Sequence, residues 1–301
     1  MHNVTAPSAK TLNIIGCGKV GRTLGRLWAD AGVFSINDVL NRSLPSAEAA
    51  VKFMGAGKAV EDLRTMSPAE TYLIATPDAA ILPCSEALAE SGLLGGGEIV
   101  FHCSGALASW EMTAVQKLGV RVASIHPVKT FTDPMLDIET FAGTYCGAEG
   151  DVEALGVLSP AFERIGGRVF SIDPGNKTLY HAASVIVCNY LTALMEWGIQ
   201  TYAKAGVPRE TATEIIKPIV RQTVENIFQL GTVRALTGPI ARGDVEVVSR
   251  QFVAIQQWNK DYGELYRLLG SIALELSRLQ GNASSDNLAT LAKILRRDKK
   301  S

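Results

Sequence analysis

Gly16, Gly18 and Gly21 stand in Leu12-Asn13-Ile14-Ile15-Gly16-Cys17-Gly18-Lys19-Val20-Gly21, where an apolar, strand-like run passes through a GxGxxG turn into an amphipathic stretch. Gly16 permits the tight turn, and Gly21 lets helix and strand pack closely. Gly18 lets the backbone N–H groups of Cys17, Gly18, Lys19 and Val20 approach a pyrophosphate at the positive end of the helix. Glycine alone decides little, since Gly25 follows on the same helix and a functionless glycine turn is the plain alternative. The strand before and the helix after decide for a dinucleotide. Twenty-one residues beyond Gly21, where the second strand pattern ends, Asn41-Arg42-Ser43 replaces the acidic residue that binds a ribose 2'-hydroxyl. Arg42 and Ser43 suit a 2'-phosphate, which points to NADP(H) over NAD. Asp38, three residues earlier, is the rival feature, and an ordinary surface arginine the alternative for Arg42.

Ligands of open α/β sheets bind beyond the carboxyl ends of the strands. Thr76-Pro77-Asp78 and His102-Cys103-Ser104-Gly105 each end a strand pattern, so Thr76, Pro77 and Ser104 are expected to border the nicotinamide, with Ser104 also open to substrate. Asp78 suits a helix N-cap equally well. Of the four histidines, His2 lies in the tail and His102 suits a packing role, while His126, in Ile125-His126-Pro127-Val128-Lys129-Thr130-Phe131, follows a strand and is kept extended by Pro127. Lys177 and His181 are spaced i,i+4 and share a helix face, with Asn189 two turns further. Lys177, His181 and His126 are the catalytic candidates; Asn189, Arg242 and Asp244 join Ser104 as substrate contacts. Each has a bland alternative: a solvated lysine, a packed imidazole, an amide bonded to a neighbouring helix, and a turn whose Asp244 caps the next helix.

These residues need a sheet edge and a helix to hold them. From Thr11 to Asp173 short apolar runs (LNII, VFSINDVL, TYLIAT, EIVFHC, VRVASI, TYCGA, RVFSI) alternate with helical patterns at 19–31, 46–54, 79–91, 106–117 and 151–165, which implies βαβ units and a mainly parallel, doubly wound sheet. Beyond Pro174 only helical periodicity appears, at 176–205, 208–230, 245–257, 259–280 and 284–297. The fold class is therefore an N-terminal α/β domain, residues 10–173, followed by an all-α domain, residues 174–301. The boundary is placed at Asp173-Pro174-Gly175, although the last two strands can also extend the first sheet.

The chain has 301 residues, 47% hydrophobic and 20% charged, with a net charge of -1, so nucleic acid finds no overall electrostatic footprint. Residues 1–173 are acidic and the rest basic, but most of that excess is the terminal run Lys293, Arg296, Arg297, Lys299 and Lys300, which reads as a frayed helix end. Five cysteines without a CxxC pair suggest neither a metal site nor a disulfide framework and fit a reducing compartment. The N-terminal decapeptide has no apolar signal core, and Ala182–Ile199 is interrupted by Asn189, Thr192 and Glu196, so a cytoplasmic protein with no membrane partner is expected.

The Gly16–Gly21 turn, Ile125–Phe131, Tyr180-His181-Ala182-Ala183 and, most specifically, Leu236-Thr237-Gly238-Pro239-Ile240-Ala241-Arg242-Gly243-Asp244 together resemble a family of oxidoreductases that join a Rossmann-like domain to a helical C-terminal domain of unknown function. The resemblance spans nearly the whole chain. It departs after Asp244, where the family carries a Thr-Val pair and a histidine-containing turn and this chain reads Val247-Val248-Ser249-Arg250-Gln251-Phe252. More distantly the layout is similar to the β-hydroxyacid, ketopantoate, pyrroline-5-carboxylate and prephenate reductases and dehydrogenases. In the ketopantoate and β-hydroxyacid members a helix lysine with an asparagine four residues later binds the substrate oxygen; Lys177 matches, and His181 takes the asparagine position. In the prephenate members a His-Pro pair and a helix histidine frame the substrate, as His126 and His181 do.

The resemblance implies hydride transfer between NADP(H) and a small carbonyl compound, a 2-keto or β-hydroxy acid, with Lys177 or His181 supplying the proton, His126 and Arg242 orienting a carboxylate, and Asp244 holding Arg242. A ketopantoate-type or imine reductase is the alternative within that class, and a catalytically idle NADP-binding sensor or scaffold the alternative outside it. The amphipathic C-terminal helices suggest a homodimer.

Overall fold

The structure is a computed structural model that describes residues 9–296. The expectations attached to residues 1–8 and to Arg297–Lys300 lie outside the described residues. Eight strands form one sheet: β1 (Lys10–Ile15), β2 (Phe34–Leu40), β3 (Lys58–Val60), β4 (Thr71–Ile74), β5 (Ile99–His102), β6 (Arg121–Pro127), β7 (Tyr145–Gly150) and β8 (Arg168–Ser171), in the order β3-β2-β1-β4-β5-β6-β7-β8. Neighbours pair in parallel except β6 with β7, so β7 and β8 extend the sheet while running against the other six strands. A parallel return needs a long covering crossover. Between β6 and β7 the chain has only the six-residue helix α5 (Pro134–Glu139), and it reverses instead.

The helices flanking the sheet are α1 (Lys19–Asp30), α2 (Leu44–Met54), α3 (Asp78–Glu90), a single turn α4 (Thr113–Gln116), α5 and α6 (Val152–Arg164). Alternate strand residues feed two cores. Leu12, Ile14, Leu73, Phe101, Ala123 and Ile125 enter one, Ile15, Tyr72, Ile74, Val100 and Val122 the other. In the first, Trp28 of α1 is fully buried, donates from Nε1 to the Ala161 carbonyl at 3.0 Å and meets Phe34, Phe101 and Phe162 edge-on.

The helix expected over 106–117 does not form. That stretch holds an irregular loop, a short 3-10 turn at Ser109–Glu111 and α4, because Ser104 Oγ accepts the N–H groups of Ala106 and Leu107 while Glu149 accepts that of Ser109. Of these donors the Ser109 N–H is the one a helix over 106–117 would spend on its first intrahelical bond, and Glu149 takes it. The three-residue β3 was too short to show a period-two pattern.

Among the described residues no strand follows Ser171; the chain continues as α7 (Lys177–Lys204), α8 (Arg209–Ala235), α9 (Pro239–Arg242), α10 (Val245–Trp258), α11 (Lys260–Gln280) and α12 (Ser285–Ile294). α8 runs through Pro218, and its backbone departs from helical geometry at Gly231, φ 78°. The helices begin after the Asp173–Gly175 turn, but the two compact units, Met1–Leu191 and Thr192–Ser301, divide inside α7. The first half of α7 stays with the sheet because its opening turn bonds to β6 and β7. The second unit has its own core of Val248, Leu274, Leu288, Leu291 and Leu295. Among the described residues one helix, Pro174–Lys204, is by length and composition alone long and apolar enough to cross a membrane, with a mean hydropathy of 1.3.

Replacing Trp28 by Ala removes the side chain on which three aromatic rings converge. The expected loss of stability is about 3–5 kcal/mol, read as a lower urea midpoint with an unchanged slope.

Candidate nucleotide and catalytic site

The turn after β1 is shaped by what a side chain would strike. Gly16 has φ +82°, and a Cβ there would lie 2.4 Å from Thr76 Cγ2 and 2.9 Å from the Thr76 amide nitrogen, while at Gly21 it would press on Gly16 O and Ala75. Above Gly18 the space is open, with no atom within 4 Å of a Cβ placed there. α1 starts at Gly18 without a side-chain cap, so its first-turn N–H groups, at Lys19, Val20 and Gly21, face this open side with no intrahelical partner. The residues present therefore fit a pyrophosphate. The N–H of Cys17 is not among the free donors, because Asn41 Oδ1 accepts it at 2.5 Å. Asn41 thus ties the glycine turn to the end of β2, and its amide nitrogen reaches Ser46 Oγ at 3.1 Å. The Cys17 thiol is buried, and burial pushes it up to about 12, so it packs as an apolar group.

At the end of β2 the rival acidic residue is withdrawn. Asp38 is 2% exposed and its carboxylate accepts the Ser67 N–H at 2.6 Å, whereas Arg42 and Ser43 are exposed just past the strand, Ser43 at the start of α2. Across the turn Thr76 and Pro77 follow β4. Pro77, not Asp78, occupies the N-cap of α3, and Asp78 is exposed in the first turn.

The second group of residues grows from the register of β5, β6 and β7. Along β6 the face that carries Val122 in the core carries Ser124 and then His126, with Ser124 opposite His102 of β5 and Glu149 of β7, and His126 opposite Gly147. One sheet face thus turns from apolar to polar toward the end of β6. The opening turn of α7 docks here through Lys177, Tyr180 and His181, at i, i+3 and i+4 on one face.

Lys177 is 1% exposed and is therefore not a solvated lysine. Its ammonium pairs with Glu149 Oε1 at 2.9 Å and donates to Ser124 Oγ. Glu149, also buried, accepts from the Ser109 N–H at 2.8 Å and the Ser109 hydroxyl at 2.7 Å, and Ser124 passes its own hydrogen to the Ser104 carbonyl. Burial pulls the Lys177 ammonium below its ordinary pKa, and the Glu149 carboxylate counters that pull.

Tyr180 lies against Gly147, where a Cβ would come within 2.6 Å of the phenol oxygen, and its hydroxyl is 3.0 Å from His126 Nδ1. The His126 and His181 rings meet edge-on, centroids 5.9 Å apart, above Gly105; a Cβ there would lie 2.8 Å from His126 Nε2 and 2.6 Å from His181 Cδ2. Burial, then the charges of His181 and Lys177, lower His126 to about 4, so its ring is neutral at physiological pH. His102 is lowered to about 3, chiefly by burial, and remains a neutral packing residue.

The structure brings His126, His181 and Lys177 together, with Ser104 beside them as a loop cap rather than a free hydroxyl. Asn189 is exposed further along α7. Arg242 and Asp244 belong to the second unit: Arg242 is exposed at the end of α9, and Asp244 caps α10 by accepting the Val247 N–H at 3.2 Å instead of holding Arg242. Sequence reasoning missed Glu149, Ser124 and Tyr180. An acidic residue inside the glycine-rich strand pattern Tyr145–Gly150 was the one available signal for Glu149.

Two family models match the chain, a Rossmann-like domain over residues 3–127 and a domain of unknown function, DUF2520, over residues 144–272. No curated protein sequence matches at a significant level. Among solved structures, protein TM1727 from Thermotoga maritima is 27% identical, with a TM-score of 0.73 over 90% of this chain and 99% of that one. A Bacteroides fragilis protein provisionally described as an NADP oxidoreductase is 20% identical, with a TM-score of 0.68 over 89% and 99%. An imine reductase from Streptomyces aurantiacus shares the fold at 17% identity, with a TM-score of 0.59 over 96% and 100%. The chain thus joins an N-terminal Rossmann-like domain to a C-terminal DUF2520 domain.

Proposed function

We propose that the protein is an NADP(H)-dependent oxidoreductase acting on a small carbonyl compound of the 2-keto or β-hydroxy acid class. The supporting observation is the uncapped start of α1 beneath an open Gly18, with Arg42 exposed at the end of β2 and Asp38 engaged elsewhere. Lys19, Val20 and Gly21 hold the pyrophosphate, Arg42 and Ser43 the 2'-phosphate, and Thr76, Pro77 and Asp78 border the rest of the cofactor. Bound nicotinamide supplies the hydride. His126 and His181 serve the oxygen on which charge develops, one by hydrogen bonding and one by proton transfer, while Lys177 is held by Glu149 and fixes the α7 turn beneath them. Asn189, further along α7, offers a polar contact to the substrate.

A cyclic imine or a ketopantoate-type ketone is the second reading. A neutral His126 favours the imine, because an uncharged ring does not repel a protonated C=N nitrogen. The exposed apolar side chains of α7, among them Leu179, Ile186, Val187 and Tyr190, support a homodimer formed through the C-terminal helices. The five cysteines, spread along the chain with no CxxC pair, are in keeping with a cytoplasmic setting, and the proposed partner is a small molecule in place of nucleic acid or membrane.

Consumption of NADPH across a panel of 2-keto acids, β-keto acids and cyclic imines tests the activity, with turnover of at least one class expected. Tight NADPH binding without turnover of any of them would sink it in favour of a sensor. Arg42→Ala is expected to weaken NADPH roughly ten- to a hundredfold and to leave NADH nearly unchanged; equal losses defeat the 2'-phosphate assignment. His181→Ala is expected to lower kcat ~10²- to 10⁴-fold at constant NADPH affinity. An unfolded variant, seen by circular dichroism, returns that residue to a packing role.

A further inference from the structure

Tyr180, one turn beyond Lys177 on α7, is held from several sides. Its hydroxyl lies over Gly147, its ring meets Phe170 edge-on at 6.2 Å and His126 edge-on at 5.6 Å, and its oxygen is 3.0 Å from His126 Nδ1. A hydrogen bond between a phenol and a neutral imidazole runs in one of two directions. Were His126 to donate from Nδ1, the phenol would accept and its own hydrogen would be left to solvent at this half-buried side chain, for which no second protein acceptor is seen among the described residues. With Tyr180 donating, the phenol hydrogen is taken up by the Nδ1 lone pair and the ring carries its own hydrogen on Nε2. Burial raises the phenol to about 12, so that hydrogen stays in place.

On the far side of the ring, His126 Nε2 and His181 meet over Gly105, the position in that loop that has no side chain to block them. We propose that Tyr180 is a positioning residue that locks His126 as the tautomer protonated on Nε2, so that His126 donates a fixed hydrogen bond at the reacting atom and His181 is the group that exchanges the proton. The assignment rests on the hydride-transfer reading of this site. Around the His126 ring, α7 presents Lys177, Tyr180 and His181, β7 presents Glu149, already engaged by Lys177, and β5 presents a neutral His102. None of these groups is an unpaired carboxylate that would hold His126 as a cation, and Lys177 and His181 both oppose its protonation. A locked neutral ring is a hydrogen-bond donor at constant charge, the form in which it polarises a carbonyl or an imine without competing for the proton being transferred.

Ring 15N resonances of the full-length, 15N-labelled protein with NADP+ added test the lock, His126→Gln identifying which signals belong to that ring. The wild type is expected to show Nδ1 unprotonated and Nε2 protonated, unchanged between about pH 5.5 and 8 as a depressed pKa requires. Tyr180→Phe keeps the ring but removes the donor: the two nitrogens are expected to move toward tautomeric averaging, and kcat to fall roughly tenfold with the KM for NADPH unchanged. A wild-type ring protonated on Nδ1, or identical spectra in the two proteins, would overturn the lock, and the wild-type spectrum alone decides should the variant not fold. Because the spectra need no substrate, a locked ring in a protein without turnover defeats the oxidoreductase reading and leaves the lock standing, while turnover with an unlocked ring does the reverse.

Discussion

A buried carboxylate and a buried ammonium hold the sheet, a loop and a helix together, and the placing of His126 and His181 beside one another depends on them. Removing both charges from water costs more than their attraction returns unless the remaining hydrogen-bonding capacity is used. Here it is used: Glu149 takes both hydrogens of Ser109, and Lys177 takes Ser124 as well as Glu149. Each of those bonds fastens a different piece. The Ser109 loop is drawn onto β7 and cannot wind into a helix, β6 and β7 gain a side-chain link besides their ladder, and the first turn of α7 is seated. Deleting either charge alone would strand the other in a dry site, a penalty of several kcal/mol, so the pair favours one arrangement strongly even where its net contribution to stability is small.

The two ends of the strand edge solve their problems by different means. Around Gly16 to Gly21 the surface is backbone: side chains are removed, N–H groups are exposed, and Asn41 steadies the turn from outside. Around His126 the surface is built of side chains bonded to one another, Lys177 to Glu149 and His126 to Tyr180. Glycine serves both, but at Gly105 and Gly147 it makes room for rings and not for a phosphate.

That contrast also explains what could be read from the chain. The glycine turn, the alternation of strands and helices, and the change to helices after Asp173 are local patterns. The end of β2 is local too, since Arg42 and Asp38 stand close enough in sequence to be compared, although only the structure shows Asp38 buried and Arg42 exposed. The reversed β7, the missing helix at 106–117, and the roles of Glu149 and Tyr180 are not local: their partners lie 28, 40 and 54 residues away along the chain. Asn41, Ser104 and Asp244 show the other limit of sequence. Their residue types suit ligands, and each has its side chain engaged by a backbone N–H of the protein itself.

Lys177, Tyr180 and His181 leave α7 within a single turn and engage three different parts of the sheet edge: the buried carboxylate of Glu149, the imidazole of His126 above Gly147, and the gap at Gly105. A roll of the helix by one residue is a rotation of about 100°, and it would carry all three off their seats together. No intermediate register keeps two of the contacts and loses the third. The helix therefore engages its sheet like a key cut with three notches, and the geometry around the two imidazoles is either complete or absent.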